Sequence, residues 1–164
     1  MATRPTTTSK LIDEGQTAPA FTLKDQLGET QRLADCRGRW VVLYFYPRDN
    51  TPGCTIQACG FRDQYEPLRG LGAEVFGVSP DDAKAHMRFA DKYTLPFPLL
   101  VDPDNKVATK YGVWRDKTLF GKKYMGIVRT TYLIGPGGKV SRRWDKVKVG
   151  GHVAEVTEVL QEFA

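Results

Sequence analysis

Hydrophobic positions along the chain alternate between short continuous runs and single residues spaced three or four apart. Trp40 to Tyr46 is an unbroken apolar run that Pro47 ends, which predicts a central strand buried on both faces. Ala73 to Val78 and Phe97 to Val101 predict two more strands. Phe21 to Leu33 reads as a short hairpin around Gln26-Leu27-Gly28-Glu29. After turn residues at Asp49 to Gly53, Ile56, Phe61, Tyr65 and Leu68 fit one face of a helix. Ser79-Pro80-Asp81-Asp82 is a helix start ahead of Ala83, Met87, Ala90 and Tyr93, and a short helical stretch runs through Val107 and Tyr111. Thr130 to Ile134 and Lys139 to Trp144 read as strands joined by Gly135-Pro136-Gly137-Gly138. The chain closes on Val153, Val156, Leu160 and Phe163, one stripe of an amphipathic helix. This βαβα order followed by ββα implies an α/β fold, with a mixed sheet and helices on both faces.

Gly112 to Gly126 departs from both patterns. It holds Trp114, Phe120, Tyr124 and Met125 among four basic residues without a clear period, and predicts a long loop. Loops of that length in compact domains tend to be functional or mobile. A surface excursion pinned by its aromatics and a substrate or partner role both remain open for it.

Composition narrows the class. The 164 residues, 41% hydrophobic and 26% charged, match one soluble domain and argue against disorder or a disulfide-stapled scaffold. No apolar run approaches the ~20 residues that cross a bilayer, so no membrane association is expected. The net charge of +5 is scattered, with short clusters only at Lys122-Lys123 and Arg142-Arg143, so no nucleic-acid binding is expected. Residues 1–12 are predicted to be a flexible N-terminal arm, and residues 13–164 a single domain. The arm lacks the apolar core of a secretory signal. Three cysteines, an odd number, then suit a reducing, cytoplasmic setting, where a cysteine is more often chemical or inert than structural.

Chemistry concentrates at Pro47-Arg48-Asp49-Asn50-Thr51-Pro52-Gly53-Cys54, directly after the buried strand. Cys54 falls in the first turn of the following helix, where free backbone N–H groups and the helix dipole favour an anion. Thr51, three residues back, offers a hydroxyl to the sulfur or to an incoming oxygen. Cys59 follows five positions later. In an intact helix that offset separates the Cα atoms by roughly 8.6 Å, beyond the reach of a disulfide. Either Cys59 is a core residue without a redox role, or the first turns unwind during a cycle. Gly53 and Gly60, which bracket the segment, are consistent with marginal local stability.

Pro47, Thr51 and Cys54, spaced as proline, three residues, threonine, two residues, cysteine, resemble the active-site motif of the peroxiredoxins. The run Thr51-Pro-Gly-Cys-Thr-Ile-Gln-Ala-Cys59, preceded by Tyr44-Phe-Tyr-Pro47, is similar to their Q-type branch, the bacterioferritin comigratory proteins. The similarity extends through Gly112-Val-Trp114, Phe120-Gly-Lys122 and Gly126 to Ile134, and so covers the chain from about Ala18 onward. The resemblance implies a thioredoxin-like fold and the reduction of hydrogen peroxide and organic hydroperoxides, without a cofactor or metal. It makes Cys54 the peroxidatic cysteine and Cys59 the resolving one, paired in an intrachain disulfide. Thr51 and Pro47 complete the peroxide pocket in this reading, and Arg129 is the active-site arginine brought from a distant strand. Thioredoxin or a similar dithiol protein is the implied reductant. Many members carry Glu where Gln57 stands, and Cys36 has no family role.

An intrachain bridge makes a dimer chemically unnecessary, so a monomer is expected. Two rival classes remain open on the residues. A thiol-disulfide oxidoreductase would normally carry a Cys-x-x-Cys pair, but Gln57 occupies its second position. A redox-sensing binding domain would need only one reactive thiol. Metal binding is weakly supported, because His86 and His152 are the only histidines and neither adjoins a cysteine.

Overall fold

The computed structural model describes residues 10–164, so the predicted arm lies outside the described residues up to position 9. The first described residues run along the body. Leu11 and Ile12 pack on the core, and the Ile12 N–H donates to the Tyr111 carbonyl at 3.1 Å.

Among the described residues the strands are β1 (Thr22–Lys24), β2 (Thr30–Arg32), β3 (Trp40–Phe45), β4 (Ala73–Ser79), β5 (Leu99–Val101), β6 (Trp114–Leu119), β7 (Lys122–Ile127), β8 (Thr130–Ile134) and β9 (Val140–Trp144). The α-helices are α1 (Pro52–Asp63), α2 (Tyr65–Gly70), α3 (Ala83–Tyr93), α4 (Lys106–Tyr111) and α5 (His152–Phe163). Seven strands form one sheet in the order β2-β1-β5-β4-β3-β8-β9. β3 pairs parallel with β4 and antiparallel with β8, so the sheet is mixed. The N-terminal hairpin β1–β2 forms its edge.

The run Trp40 to Tyr46 is continuous because both faces of β3 are covered. Val41, Leu43 and Phe45 point into one core cluster with α4 residues Val107, Ala108 and Tyr111. Val42, Tyr44 and Tyr46 point into the other, against Cys54, Ala58 and Phe61 of α1, Phe89 of α3 and Val156 and Leu160 of α5. Side chains alternate along a strand, so adjacent residues of one run hold two separate layers together. The loop from Pro47 to Thr51 leaves the carboxyl end of β3, beside its parallel neighbour β4, and carboxyl ends of parallel strands are where open α/β sheets bind ligands.

Local predictions needed correction where tertiary packing chose the face. Ile56 is 55% exposed, and α1 instead buries Cys54, Gln57, Ala58 and Phe61, an i, i+3, i+4, i+7 stripe. The helix ends at Asp63 and α2 restarts after Gln64. In α3 the buried residues are His86, Phe89 and Ala90, while Ala83 is exposed.

The segment predicted as a loop, Gly112 to Gly126, lies almost wholly in the antiparallel ribbon β6–β7, with Trp114 opposite Ile127 and Leu119 opposite Lys122. Its turn places Phe120 and Gly121 at φ 53° and 77°, the double left-handed geometry of a tight hairpin. Beyond its base the ribbon is covered on neither face, with Leu119, Phe120, Tyr124 and Met125 all exposed. No two-residue hydrophobic rhythm was therefore available to announce it.

Candidate active site

Cys54 lies in the first turn of α1, behind Thr51 at the N-cap and Pro52 at the first helical position. Proline suits that position because its missing N–H would have no helical partner there. Thr51 makes no side-chain capping bond. Its hydroxyl donates instead to the Arg48 carbonyl at 2.9 Å. The hydroxyl proton is thus committed inside the loop, and the oxygen lone pairs are what Thr51 offers outward. Pro47, half-buried, opens the same loop after fully buried Tyr46.

Arg129 sits between β7 and β8, 75 residues from Cys54. Its Nη2 donates to the Cys54 sulfur at 3.3 Å and its Nη1 to Gln57 Oε1 at 2.8 Å. The guanidinium therefore bridges the first and second turns of α1. Its planar fork suits this double engagement better than a lysine ammonium would. Cys54 is buried at 1% exposure, so the positive charge acts on the sulfur with little screening by water. Burial, together with the neighbouring Arg129 charge, also pushes the Lys117 ammonium below its ordinary pKa.

Two residues named in the sequence without a contact acquire one here. A Cβ on Gly53 would come within 3.0 Å of Arg129 Nη2, so a glycine at that turn lets the guanidinium lie against the helix. Gln57 is completely buried and fixes Arg129 through its carbonyl oxygen, while its own Nε2 has no partner. The Gln-for-Glu departure was a visible signal, but it did not say what the side chain touches. Gly60 also has a packing reason, since a Cβ there would lie 2.9 Å from Val153 Cγ2. Close approach is thus a sufficient packing reason for both glycines.

Cys59 is half-buried in the same unbroken helix, and all three cysteines are free thiols. Cys36 lies in a short 3₁₀ turn ahead of β3, at the opposite end of that strand from Cys54 and in the other core cluster. Burial pushes its thiol pKa up. Among the described residues no cluster of metal-binding side chains occurs, and no helix is long and apolar enough to cross a membrane.

Cys54 therefore has the setting of a redox-active thiol, and the sheet that carries it is thioredoxin-like. Comparison with known proteins agrees. The model of the AhpC/TSA family matches residues 14–143. A putative peroxiredoxin Bcp of Coxiella burnetii is 57% identical over 145 residues, covering 88% of this chain and 96% of that protein. Peroxiredoxin Bcp of Bacillus subtilis is 49% identical over 153 residues, 93% of this chain and 98% of the relative. The structure of a Xylella fastidiosa PrxQ mutant superposes with a TM-score of 0.89 at 33% identity, covering 94% of this chain and 99% of that one. The bacterioferritin comigratory protein of Xanthomonas campestris, studied for its alkyl peroxide reduction activity, gives 0.86 at 35%, covering 92% and 99%. The chain belongs to the AhpC/TSA family and, within it, to the Bcp or Q-type peroxiredoxins, which are thiol peroxidases.

Proposed function

We propose that Cys54 is the nucleophile of this peroxidase, acting on hydrogen peroxide and organic hydroperoxides. The carrying observation is the Arg129 Nη2 contact with the Cys54 sulfur, 3.3 Å long, at the start of α1. The thiolate attacks the terminal peroxide oxygen, the O–O bond breaks, and sulfur gains the OH group as a sulfenic acid. The other oxygen leaves with the bonding pair and takes a proton, as water or alcohol.

Ionising the thiol would not suffice. Lowering a thiol pKa from about 8.5 to about 6 raises its thiolate fraction roughly 30-fold at pH 7. Lost nucleophilicity, on a Brønsted slope near 0.45, takes back about 13-fold. The remaining acceleration must come from orientation and from donors aimed at the charge that develops on the leaving oxygen. Arg129 has N–H groups beyond those on Cys54 and Gln57 for this task. Thr51, its own proton held by Arg48, accepts the O–H of the hydroperoxide and so orients it. Pro47 shields the pocket from bulk water.

Cys59 is the resolving residue in this reading. Its thiol attacks the Cys54 sulfenic acid, a disulfide forms and water leaves, after the first turns of α1 unwind to bring the sulfurs together. Thioredoxin or a similar dithiol then reduces the bridge and is itself oxidised. The enzyme works as a cytoplasmic monomer with no nucleic-acid or membrane partner. Residues 13–164 form its single domain behind the arm at 1–12, with Leu11 and Ile12 laid against the body.

Treating the reduced protein with sub-stoichiometric hydrogen peroxide and mapping disulfides by peptide mass spectrometry tests the scheme. A Cys54–Cys59 bridge is expected. Cys59→Ser should retain one round of peroxide reduction but lose turnover with thioredoxin. Full thioredoxin-supported turnover in Cys59→Ser would overturn the resolving role, and an unreacted Cys54 would overturn the nucleophile.

A further inference from the structure

Between Pro47 and Thr51 the active-site loop carries Asp49, whose side chain is 5% exposed, facing His86 of α3 at 0%. His86 Nδ1 lies 2.6 Å from Asp49 Oδ2, and its Nε2 lies 2.9 Å from the Leu100 carbonyl oxygen on β5. A carbonyl only accepts, so Nε2 carries a proton. The short Nδ1–Oδ2 contact joins the ring to the Asp49 carboxyl group as a buried pair. The other Asp49 oxygen accepts the Tyr46 hydroxyl at 2.6 Å. The Asp49 N–H donates to Asp81 Oδ2, also at 2.6 Å, just ahead of α3.

One loop residue is thus tied to the end of β3, to α3 and, through His86, to β5. The next residue, Asn50, has φ 60°, a left-handed kink. Past it Thr51 returns to an extended conformation and α1 begins. The chain changes character at Asn50, from a segment pinned by buried hydrogen bonds to a helix start whose capping side chain makes no helical bond.

We propose that the Asp49–His86 pair is a buried latch. It holds the peroxide-facing half of the loop in place while the segment beyond Asn50 unwinds for disulfide formation. Asp49 and His86 are therefore positioning residues that act through Pro47, on the held side of Asn50, and touch no substrate. The proposal rests on the roles given above to Cys54 and Cys59. Its physical basis is that unwinding spreads along a chain until it meets contacts costly to break. Leaving one member of a buried charged pair alone is such a cost, whereas removing both members is nearly neutral.

The latch makes the two chemical steps respond differently. Rapid-quench kinetics on full-length His86→Leu, Asp49→Ala and the double variant would follow peroxide loss and Cys54–Cys59 bridging separately, alongside thermal unfolding. The second-order constant for peroxide should fall about tenfold or more in each variant, while bridging is not slowed. The double variant leaves no unpaired buried charge, so it keeps the experiment decisive if His86→Leu does not fold. A folded variant with an unchanged peroxide constant, or one with both steps slowed equally, would overturn the latch. A wild-type protein that consumes peroxide without bridging would overturn the Cys59 role, and with it the boundary at Asn50, while Cys54 would stand.

Discussion

Cys54 and Cys36 are both buried thiols, at 1% and 5% exposure, yet their surroundings have little in common. Cys36 is packed among apolar side chains in one core cluster and makes only a long, 3.9 Å contact to the Arg32 carbonyl. Cys54, in the other cluster, meets the Arg129 guanidinium in the first turn of α1. Burial alone raises the cost of a thiolate, as it does at Cys36. At Cys54 burial is joined by a guanidinium donor in contact with the sulfur at the start of a helix. The difference lies in the donors aimed at the sulfur rather than in the distance from water.

The most direct way to break this comparison is to exchange the thiols' fates. Cys54→Ser should abolish peroxide consumption in a stopped-flow assay, whereas Cys36→Ser should leave it within about twofold. β3 alone separates their ends by roughly 17 Å, far beyond disulfide reach, so Cys36 cannot substitute. Removing the donor comes next. Arg129→Met should lower the second-order constant for peroxide by about 10²–10³-fold, with the sheet intact by circular dichroism. Arg129→Lys should recover only part of that, because an ammonium cannot bridge Cys54 and Gln57 at once.

The two histidines extend the contrast to stability. His86 has partners on both ring nitrogens. His152 is buried with Thr131 Oγ1 at 2.8 Å from its Nε2. Desolvation, reinforced by the Arg129 charge and opposed by Glu155, pushes its pKa down to about 4. The folded state then binds fewer protons than the unfolded one between pH 6.5 and 4. Stability is full above pH 6.5 and is lost as pH falls through that window, by at most about 3 kcal/mol at 1.36 kcal/mol per unit. Denaturant titrations at pH 7 and pH 4.5 should reveal the slope, and His152→Phe should flatten it. A smaller effect is expected at Gln57. Gln57→Leu frees Arg129 from its carbonyl anchor and should slow peroxide reduction roughly tenfold, about 1.4 kcal/mol of barrier. An unchanged rate would show that the Cys54 contact and Gly53 position the arginine unaided.

What the sequence determined by itself was local. Trp40 to Tyr46 reads as a doubly covered strand, because the run is short, rich in β-branched and aromatic residues, and stopped by Pro47. The loop from Pro47 to Thr51, with Cys54 opening a helix, followed from turn chemistry and the spacing of residues. Tertiary structure decided how distant positions meet, and for Arg129 only the family resemblance had pointed ahead to it. Arg129 reaches Cys54 across 75 residues and His86 reaches Asp49 across 37, separations at which hydrophobic periodicity carries no information. It also decided which stripe of α1 turned inward, burying Gln57 and exposing Ile56. It gave Gly53 and Gly60 their reasons through the side chains that press on them. Periodicity reports which residues can share a face, and only the packing of one element on another selects the face that is used and the partner it meets.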